Sequence, residues 1–311
     1  MSFENIVGNT KIKQELKNVA NSNAVSHSYL FVGEEGIGKK QIAREFAKMI
    51  LCLSQEKEKC NQCDSCIKFI SNNNPDFIEI SEDGNSIKIA QIRELQEKIY
   101  QKPIVSSKKV VIIDNSEKMT EEAQNSLLKT LEEPPEYIVI ILITSNENKL
   151  LNTIKSRCLK LSFVNIDSKE MIEYIDKNQE IQKPSQSILE LCNGSIGRLI
   201  KINDNIEEYN QVDGITKDMI NSNIRNVVKL INQYEVLYKS KEIIFDLLDY
   251  MIAIVYSHIK KNADYRSKFI NIIGIINNAK TKLNSNTNYD MCIDEMLFKI
   301  WEEIDENNSR S

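Results

Sequence analysis

The chain has 311 residues, of which 27% are charged and 41% hydrophobic, with a net charge of −5. That length corresponds to about two or three domains, and the acidic balance excludes a protein held on DNA mainly by a basic surface, because neutralising phosphates takes clustered Lys and Arg. The polar start MSFENIVGNTKIKQEL has no charged n-region leading into an apolar run, and the longest apolar stretches, 110–113 and 138–143, are far too short to span a bilayer. A cytoplasmic protein without membrane contact is expected, in which seven cysteines read as thiols or metal ligands and not as a disulfide framework.

Residues 10–24 carry Ile12, Leu16, Val19 and Ala20 at helical spacing. SYLFVG (28–33) is a short apolar run ending in glycine, a buried strand. Residues 38–53 place Ile42, Ala43, Phe46 and Ile50 on one helical face. DFIEI (76–80) is a strand, followed by a helix over 88–100 with Ile89, Ile92, Leu95 and Ile99 in phase. KVVIID (109–114) and YIVIILIT (137–144) are continuous apolar strands of the kind covered on both faces of a parallel sheet. A helix over 120–132 separates them, and CLKLSF (158–163) is the last strand. Strands alternating with helices predict an α/β layer with right-handed crossovers. Beyond about residue 164 the strand signals stop. Helices are predicted over 167–178, over 185–192, after GSIGR (194–198), and through most of the chain from 206, with apolar stripes in 224–259 and 266–283.

GEEGIGKK (33–40) follows a strand and opens a helix. Glycines there let backbone N–H groups wrap around phosphates, and the helix N-terminus favours negative charge. Gly33, Gly36, Gly38 and Lys39 are the candidate nucleotide contacts, Lys39 standing where a lysine reaches the terminal phosphates. A P-loop continues with Ser or Thr, whose hydroxyl holds Mg²⁺; here Lys40 follows, and an ammonium cannot ligate a cation. VVIID ends in Asp114, placed for a magnesium-side carboxylate. Its neighbour Asn115 cannot serve as a base, and a turn would point Glu117, two residues on, elsewhere. Cys52, Cys60, Cys63 and Cys66 are spaced C-x7-C-x2-C-x2-C with polar, loop-like residues between them. Four thiolates within 15 residues suit one tetrahedral zinc ion with no open position, hence a structural role. Cys158, Cys192 and Cys292 stand alone and read as core thiols. Arg157 in SRC and Arg198 in GSIGR are, taken singly, a surface ion-pairing arginine and a helix-bracing one.

The order of these features changes that reading. The four-cysteine insert after the P-loop helix, LLKTLEEPP (127–135), TSN (144–146), TIKSRC (153–158) and GSIGR, with HSYLFVG (27–33), resemble the clamp-loader subunits of bacterial DNA polymerase III over about residues 3–205. The resemblance implies an AAA+ P-loop domain with a parallel sheet over 1–163, a small helical lid over 164–205, and an all-α collar for oligomerisation over 206–311. Two subunit types share these motifs. The tau/gamma type keeps the Ser or Thr after the P-loop lysine and an Asp–Glu pair, so Lys40 and Asn115 point to the delta-prime type. That type does not hydrolyse ATP and lends an arginine, here Arg157, to a neighbouring ATP site. Arg198 matches the nucleotide-sensing arginine, and Thr144 and Asn146 lie in the other sensor stretch. The implied partners are tau/gamma and delta subunits in a hetero-pentameric ring, with the sliding clamp and primed DNA met through the assembly. Retention of the glycines and Lys39 leaves ATP binding without turnover open. The rivals are an active AAA+ ATPase, against which Lys40 and Asn115 speak, and a zinc-bearing nucleotide module outside replication, against which LLKTLEEPP and TIKSRC speak.

Overall fold

The computed structural model describes residues 3–22, 24–54, 60–220, 234–261, 266–285 and 287–308. The apolar run at 109–113 forms β3 (Lys109–Ile113) and that at 138–144 forms β4 (Ile138–Thr144), and every residue of both is buried. The other strands among the described residues are β1 (Ser28–Val32), β2 (Phe77–Ile80) and β5 (Leu159–Ser162). All pair in parallel, in the order β2-β3-β4-β1-β5. Successive side chains leave opposite faces of a strand, so each strand feeds two cores. Tyr29, Phe31, Val110, Ile112, Val139 and Ile141 face one core, and Leu30, Val111, Ile113, Ile140 and Leu142 the other.

Helices cover both faces. On the first lie α1 (Thr10–Ser22) and α2 (Lys39–Leu51), which bury Leu16, Ala20, Ile42, Ala43 and Phe46. On the second lie α4 (Ile89–Ile99), α5 (Glu121–Glu132) and the short α6 (Asn152–Lys155), which bury Ile92, Leu95, Ile99, Ala123, Leu127 and Ile154. Thr120 caps α5, its side chain accepting from the N–H of Ala123 at 3.3 Å. A further helix, α3 (Asp64–Ile70), begins in the stretch between the cysteines that the spacing predicts as loop and runs past it. Its seven residues are too few to show a helical period; the capping by Cys63, whose sulfur accepts from the Cys66 N–H at 3.4 Å, starts it instead.

The chain divides into two compact units, Met1–Lys177 with Gly194–Arg198, and Asn178–Asn193 with Leu199–Ser311. The first holds the sheet, α1 to α6 and α7 (Ser168–Lys177). The second contains α8 (Gln186–Cys192), most of α9 (Ile196–Asn203), α10 (Ile206–Ile220), α11 (Glu235–Lys239), α12 (Ile244–Lys261), α13 (Arg266–Asn284) and α14 (Tyr289–Asn308). Within it, α12 packs against α8, α10 and α13, and α13 packs against α14. Tyr209, Val212, Leu247, Met251, Ile272, Ile276, Ile293 and Leu297 are buried there. The part of the predicted apolar stripe at 224–233 lies outside the described residues. None of the described helices is long and apolar enough to cross a membrane.

One buried carboxylate organises the edge of the first unit beside β2. Asp76, fully buried, accepts the N–H groups of Ile104, Val105 and Ser106, each at 2.7 Å. The Ser106 hydroxyl then reaches the carbonyl of Leu51 at 2.7 Å and lies 3.0 Å from Ser65 Oγ, tying this loop to α2 and α3. Hydrogen bonds to a charged acceptor are worth about 1.5–3 kcal/mol each, and donors left without a partner carry a penalty of similar size. Because these N–H groups are only partly buried, water can replace some of the loss. Asp76→Ala should therefore destabilise the first unit by about 2–4 kcal/mol, read as a lower urea midpoint. Asp76→Asn, which keeps one acceptor oxygen, should lose less.

Candidate functional site

The P-loop leaves the carboxyl end of β1 between two neighbours, with Gly33 N–H donating to the Thr144 carbonyl at the end of β4, at 3.3 Å. Gly36 and Gly38 have φ of 78° and 90°, a left-handed backbone that side chains rarely adopt. Gly36 also has no room for one: a Cβ there would lie 2.3 Å from Ser195 Oγ and 3.2 Å from Gly197 Cα. The GSIGR segment is bonded onto this turn. Gly197 N–H donates to the Gly36 carbonyl at 2.8 Å, and the Ser195 hydroxyl donates to the Glu35 carbonyl at 2.9 Å and accepts from the Arg198 N–H at 3.1 Å. The structure thus brings Arg198 to the P-loop through its backbone. Ser195 and Gly197, which make the contact, were not singled out by sequence; the small residues flanking Ile196 in GSIGR are the only signal.

Lys39 is buried, and its Nζ donates to the carbonyls of Gly33 and Glu34 at 2.6 and 2.5 Å. Burial lowers its pKa, against the pull of nearby carboxylates, of which Glu117 acts most strongly. Glu117 is therefore not carried away by its turn, contrary to expectation. The short 3-10 turn Ser116–Lys118 delivers its Oε1 to the N–H of Ser145 at 3.2 Å and to the Ser145 hydroxyl, beside Thr144. Its Oε2 is buried without a hydrogen-bond partner among the described residues. Thr144 is buried, and its Oγ1 accepts from the Asn146 N–H at 3.0 Å, while Asn146 Oδ1 accepts from the N–H of Asn148 at 3.1 Å.

Asp114 and Asn115 are both engaged by neighbouring side chains. Asp114 Oδ1 accepts the N–H of Asn115 at 3.0 Å, and Asp114 Oδ2 pairs with Lys40 Nζ at 3.0 Å. The same ammonium lies 2.8 Å from Glu79 Oε1, and Arg44 pairs with Glu79 Oε2. Asn115 takes a left-handed φ of 46° and turns its amide to Glu82, at 3.0 and 3.2 Å. Lys118 also pairs with Glu82, at 2.5 Å, and holds its carboxyl down to about 2, with help from Asn115.

Arg157 lies at the other end of the sheet. Its carbonyl accepts from the buried Ser28 hydroxyl at 2.6 Å, where β1 begins. Its guanidinium reaches Glu132 Oε1, at the end of α5, at 2.7 Å and the Thr153 carbonyl at 2.8 Å, and the side chain stays one-third exposed. β1 lies between this arginine and the P-loop that follows it. At about 3.3 Å per residue that is about 16 Å, beyond the reach of an arginine side chain.

The four predicted cysteine ligands come together. The Sγ atoms of Cys52, Cys60, Cys63 and Cys66 all lie within 4.8 Å of one another, with Cys52 and Cys63 at 3.9 Å. Metal–sulfur bonds of about 2.3 Å in a tetrahedron put sulfurs about 3.8 Å apart, so the cluster could hold a metal ion. Cys52 ends α2, Cys63 and Cys66 open α3, and Lys48 on α2 holds Asn61 of the intervening loop at 3.1 Å. N–H groups aim at the sulfurs, from Ser54 to Cys52 and from Cys66 to Cys63, both at 3.4 Å. Without a cation, burial pushes the Cys52 thiol up to about 11 and Cys66 higher still, while the N–H of Gln62 draws Cys60 down to about 6. Cys192 and Cys292 are buried; Cys158 is half-buried, and burial raises it to about 11.

A five-stranded parallel sheet with a P-loop after β1, an aspartate after β3, polar residues after β4 and a glycine-rich segment returning to the P-loop defines an AAA+ P-loop fold. A solved structure of a DNA polymerase III gamma subunit-related protein from Thermotoga maritima shares it, with a TM-score of 0.50 at 19% identity, covering 93% of this chain and 99% of that one. Residues 8–167 match the family described as DNA polymerase III, delta subunit, and the chain belongs to that family. The DNA polymerase III subunit delta' of Bacillus subtilis is 33% identical over 231 residues, 74% of this chain and 65% of the relative. The gamma/tau subunit of Mycoplasma genitalium is 32% identical over 223 residues, 70% of this chain and 37% of that protein. The matched stretch thus spans less than two thirds of either relative.

The cysteine geometry generates a prediction. Chain purified without chelator should carry about one tetrahedrally held metal ion, with Cys52, Cys60, Cys63 and Cys66 protected from thiol reagents until the metal is removed. Cys60→Ser should lose the metal and loosen α3 while the sheet persists, as read by metal analysis and circular dichroism. Four freely titrating thiols in the native chain would contradict it.

Proposed function

We propose that this chain is the delta-prime-type subunit of a DNA polymerase III clamp loader. It stands with gamma/tau ATPase subunits and a delta subunit in a five-membered ring that opens a sliding clamp and places it on primed DNA. Residues 1–163 act as the AAA+ domain, 164–205 as its lid and 206–311 as the collar. The metal held by the four cysteines is zinc, which closes the loop between α2 and α3 and takes no part in chemistry. Gly33, Gly36, Gly38, Lys39, Asp114 and Arg198 are the remains of a nucleotide site that does not turn over. Arg157 serves the ATP site of a neighbouring subunit.

The observation that carries this reading is the placement of Arg157. It sits at the amino end of the sheet, where Ser28 fixes its backbone, with the full length of β1 between it and its own P-loop. A phosphoryl group that it contacts must belong to another chain. A guanidinium suits that task, because it is permanently charged and offers several N–H donors in a plane. The occupied Asp114 and the diverted Asn115 support the absence of turnover in the chain's own site. One observation favours the rival, an active ATPase: the buried, unpartnered Oε2 of Glu117 lies on the nucleotide side and could polarise a water.

Steady-state kinetics of the isolated chain separate the two readings. No magnesium-dependent ATP turnover is expected; robust hydrolysis abolished by Lys39→Ala or Glu117→Gln would establish the rival.

The in-trans role is tested in the complex reconstituted with gamma/tau and delta. An exposed ion pair such as Arg157–Glu132 contributes about 0–1 kcal/mol, so Arg157→Ala should fold, keep its metal and assemble. Single-turnover hydrolysis at the site it serves should fall by roughly 10³–10⁵. Arg157→Lys should fail nearly as badly, and Glu132→Ala should not. Wild-type hydrolysis at every site in an assembled Arg157→Ala complex would reduce this arginine to an ion-pairing role.

A further inference from the structure

We propose that the ammonium of Lys40 is a built-in replacement for the divalent cation of a P-loop site, so that this chain binds a nucleoside triphosphate without magnesium. The inference goes beyond the clamp-loader reading and does not depend on assembly. Its starting point is position. Lys40 follows Lys39 directly in the first turn of α2, at the residue whose hydroxyl would ligate Mg²⁺ in a working P-loop. Its side chain extends until Nζ lies 3.0 Å from Asp114 Oδ2 and 2.8 Å from Glu79 Oε1. Asp114 is the carboxylate a P-loop metal needs nearby. The positive charge that belongs beside it is supplied by the chain itself.

Charge balance joins two substitutions that look unrelated in sequence. A working site sets a doubly charged cation against an Asp–Glu pair. Here a single positive charge on Lys40 meets a single negative charge on Asp114, and the next residue is neutral Asn115. Lys40 alone beside an Asp–Glu pair would leave negative charge in excess. Asn115 alone with a divalent ion would leave positive charge in excess. Glu79, the second partner of Lys40, is matched separately by Arg44. The Lys40 ammonium donates to both carboxylates, which hold its charge between them.

The groups that would take the phosphates remain. Gly36 and Gly38 keep the left-handed turn, and Lys39 is held on the carbonyls of Gly33 and Glu34, positions from which it can exchange to phosphate oxygens. An ammonium has three donors. Glu79 and Asp114 take two of those on Lys40, and the third can reach a phosphate oxygen, as a metal ion would. With all three donors taken, the ammonium has none left to hold a water beside the reacting phosphate, as the free coordination positions of a metal ion would. The site would hold a nucleotide and leave it intact.

Calorimetric titration of the full-length chain with ATP, in magnesium buffer and in excess EDTA, tests this. The wild-type chain should bind ATP in both, with affinities that agree within about twofold. Lys40→Thr restores the hydroxyl and frees Asp114, so it should acquire a coupling between Mg²⁺ and ATP of roughly 5–150-fold, the usual span for linked ligands. Its melting temperature, measured without nucleotide, should rise with Mg²⁺ where that of the wild type does not. Lys40→Met, with neither ammonium nor hydroxyl, should bind ATP more weakly in both buffers. Binding by the wild type only with Mg²⁺, no binding of ATP in either buffer, or magnesium-indifferent binding by a folded Lys40→Thr would each overturn the proposal. None of these outcomes touches the assembly test above, which reads a different surface.

Discussion

β1 and β4 lie inside the sheet with partners on both sides, so their backbone groups bond to neighbouring strands and not to water. Their register runs from Ser28 opposite Ile140 to Val32 opposite Thr144, and the ladder continues one step further as Gly33 N–H meets the Thr144 carbonyl. That last bond sets where the P-loop begins relative to the polar residues after β4. β3, on the far side of β4, ends with Ile113 opposite Leu142, two residues before Thr144, and delivers Asp114 there. Lys39, Lys40, Asp114, Glu117 and Thr144 come together because three parallel strands end within two residues of one another. At the other end, the first residue of the same strand, Ser28, holds the carbonyl of Arg157. A slip of one residue between β1 and β4 would exchange the two core faces and disperse both charge clusters.

The strands were legible because burial on both faces leaves no polar alternative in the sequence, and KVVII and IVIILIT contain none beyond their ends. The P-loop and the cysteine set were legible because their spacing is short and local. What escaped was decided at a distance. Glu117 sits in a turn of three residues that has no preferred direction of its own; its orientation comes from Ser145, 28 residues later. Nothing in GKKQ announces that Lys40 will meet Glu79, because that residue belongs to a strand 39 positions on, and DFIEI reads as a strand whether or not its glutamate has a partner. The bonds from Ser195 and Gly197 to the P-loop turn span about 160 residues. Small residues are a weak signal for close approach, since glycine and serine are frequent in turns for other reasons.

The charged groups of the two sites differ from the rest of the structure in what they contribute. Lys40 is 46% exposed and Arg157 one-third exposed. Pairs of this kind add little to stability, because water competes for both partners and long side chains lose freedom when held. The fold rests instead on the two apolar cores and on buried, fully satisfied groups such as Asp76. Stability therefore does not account for two tethered cations at two ends of one sheet. Position does: each pairing keeps a cationic group extended, Lys40 beside Asp114 next to its own P-loop and Arg157 at the outer end of the strand layer. Because the cores do not depend on either pair, the charge at each end can be changed without unfolding the chain, and the two ends can be altered independently. In this architecture the sheet keeps the P-loop turn and Arg157 apart by the length of β1.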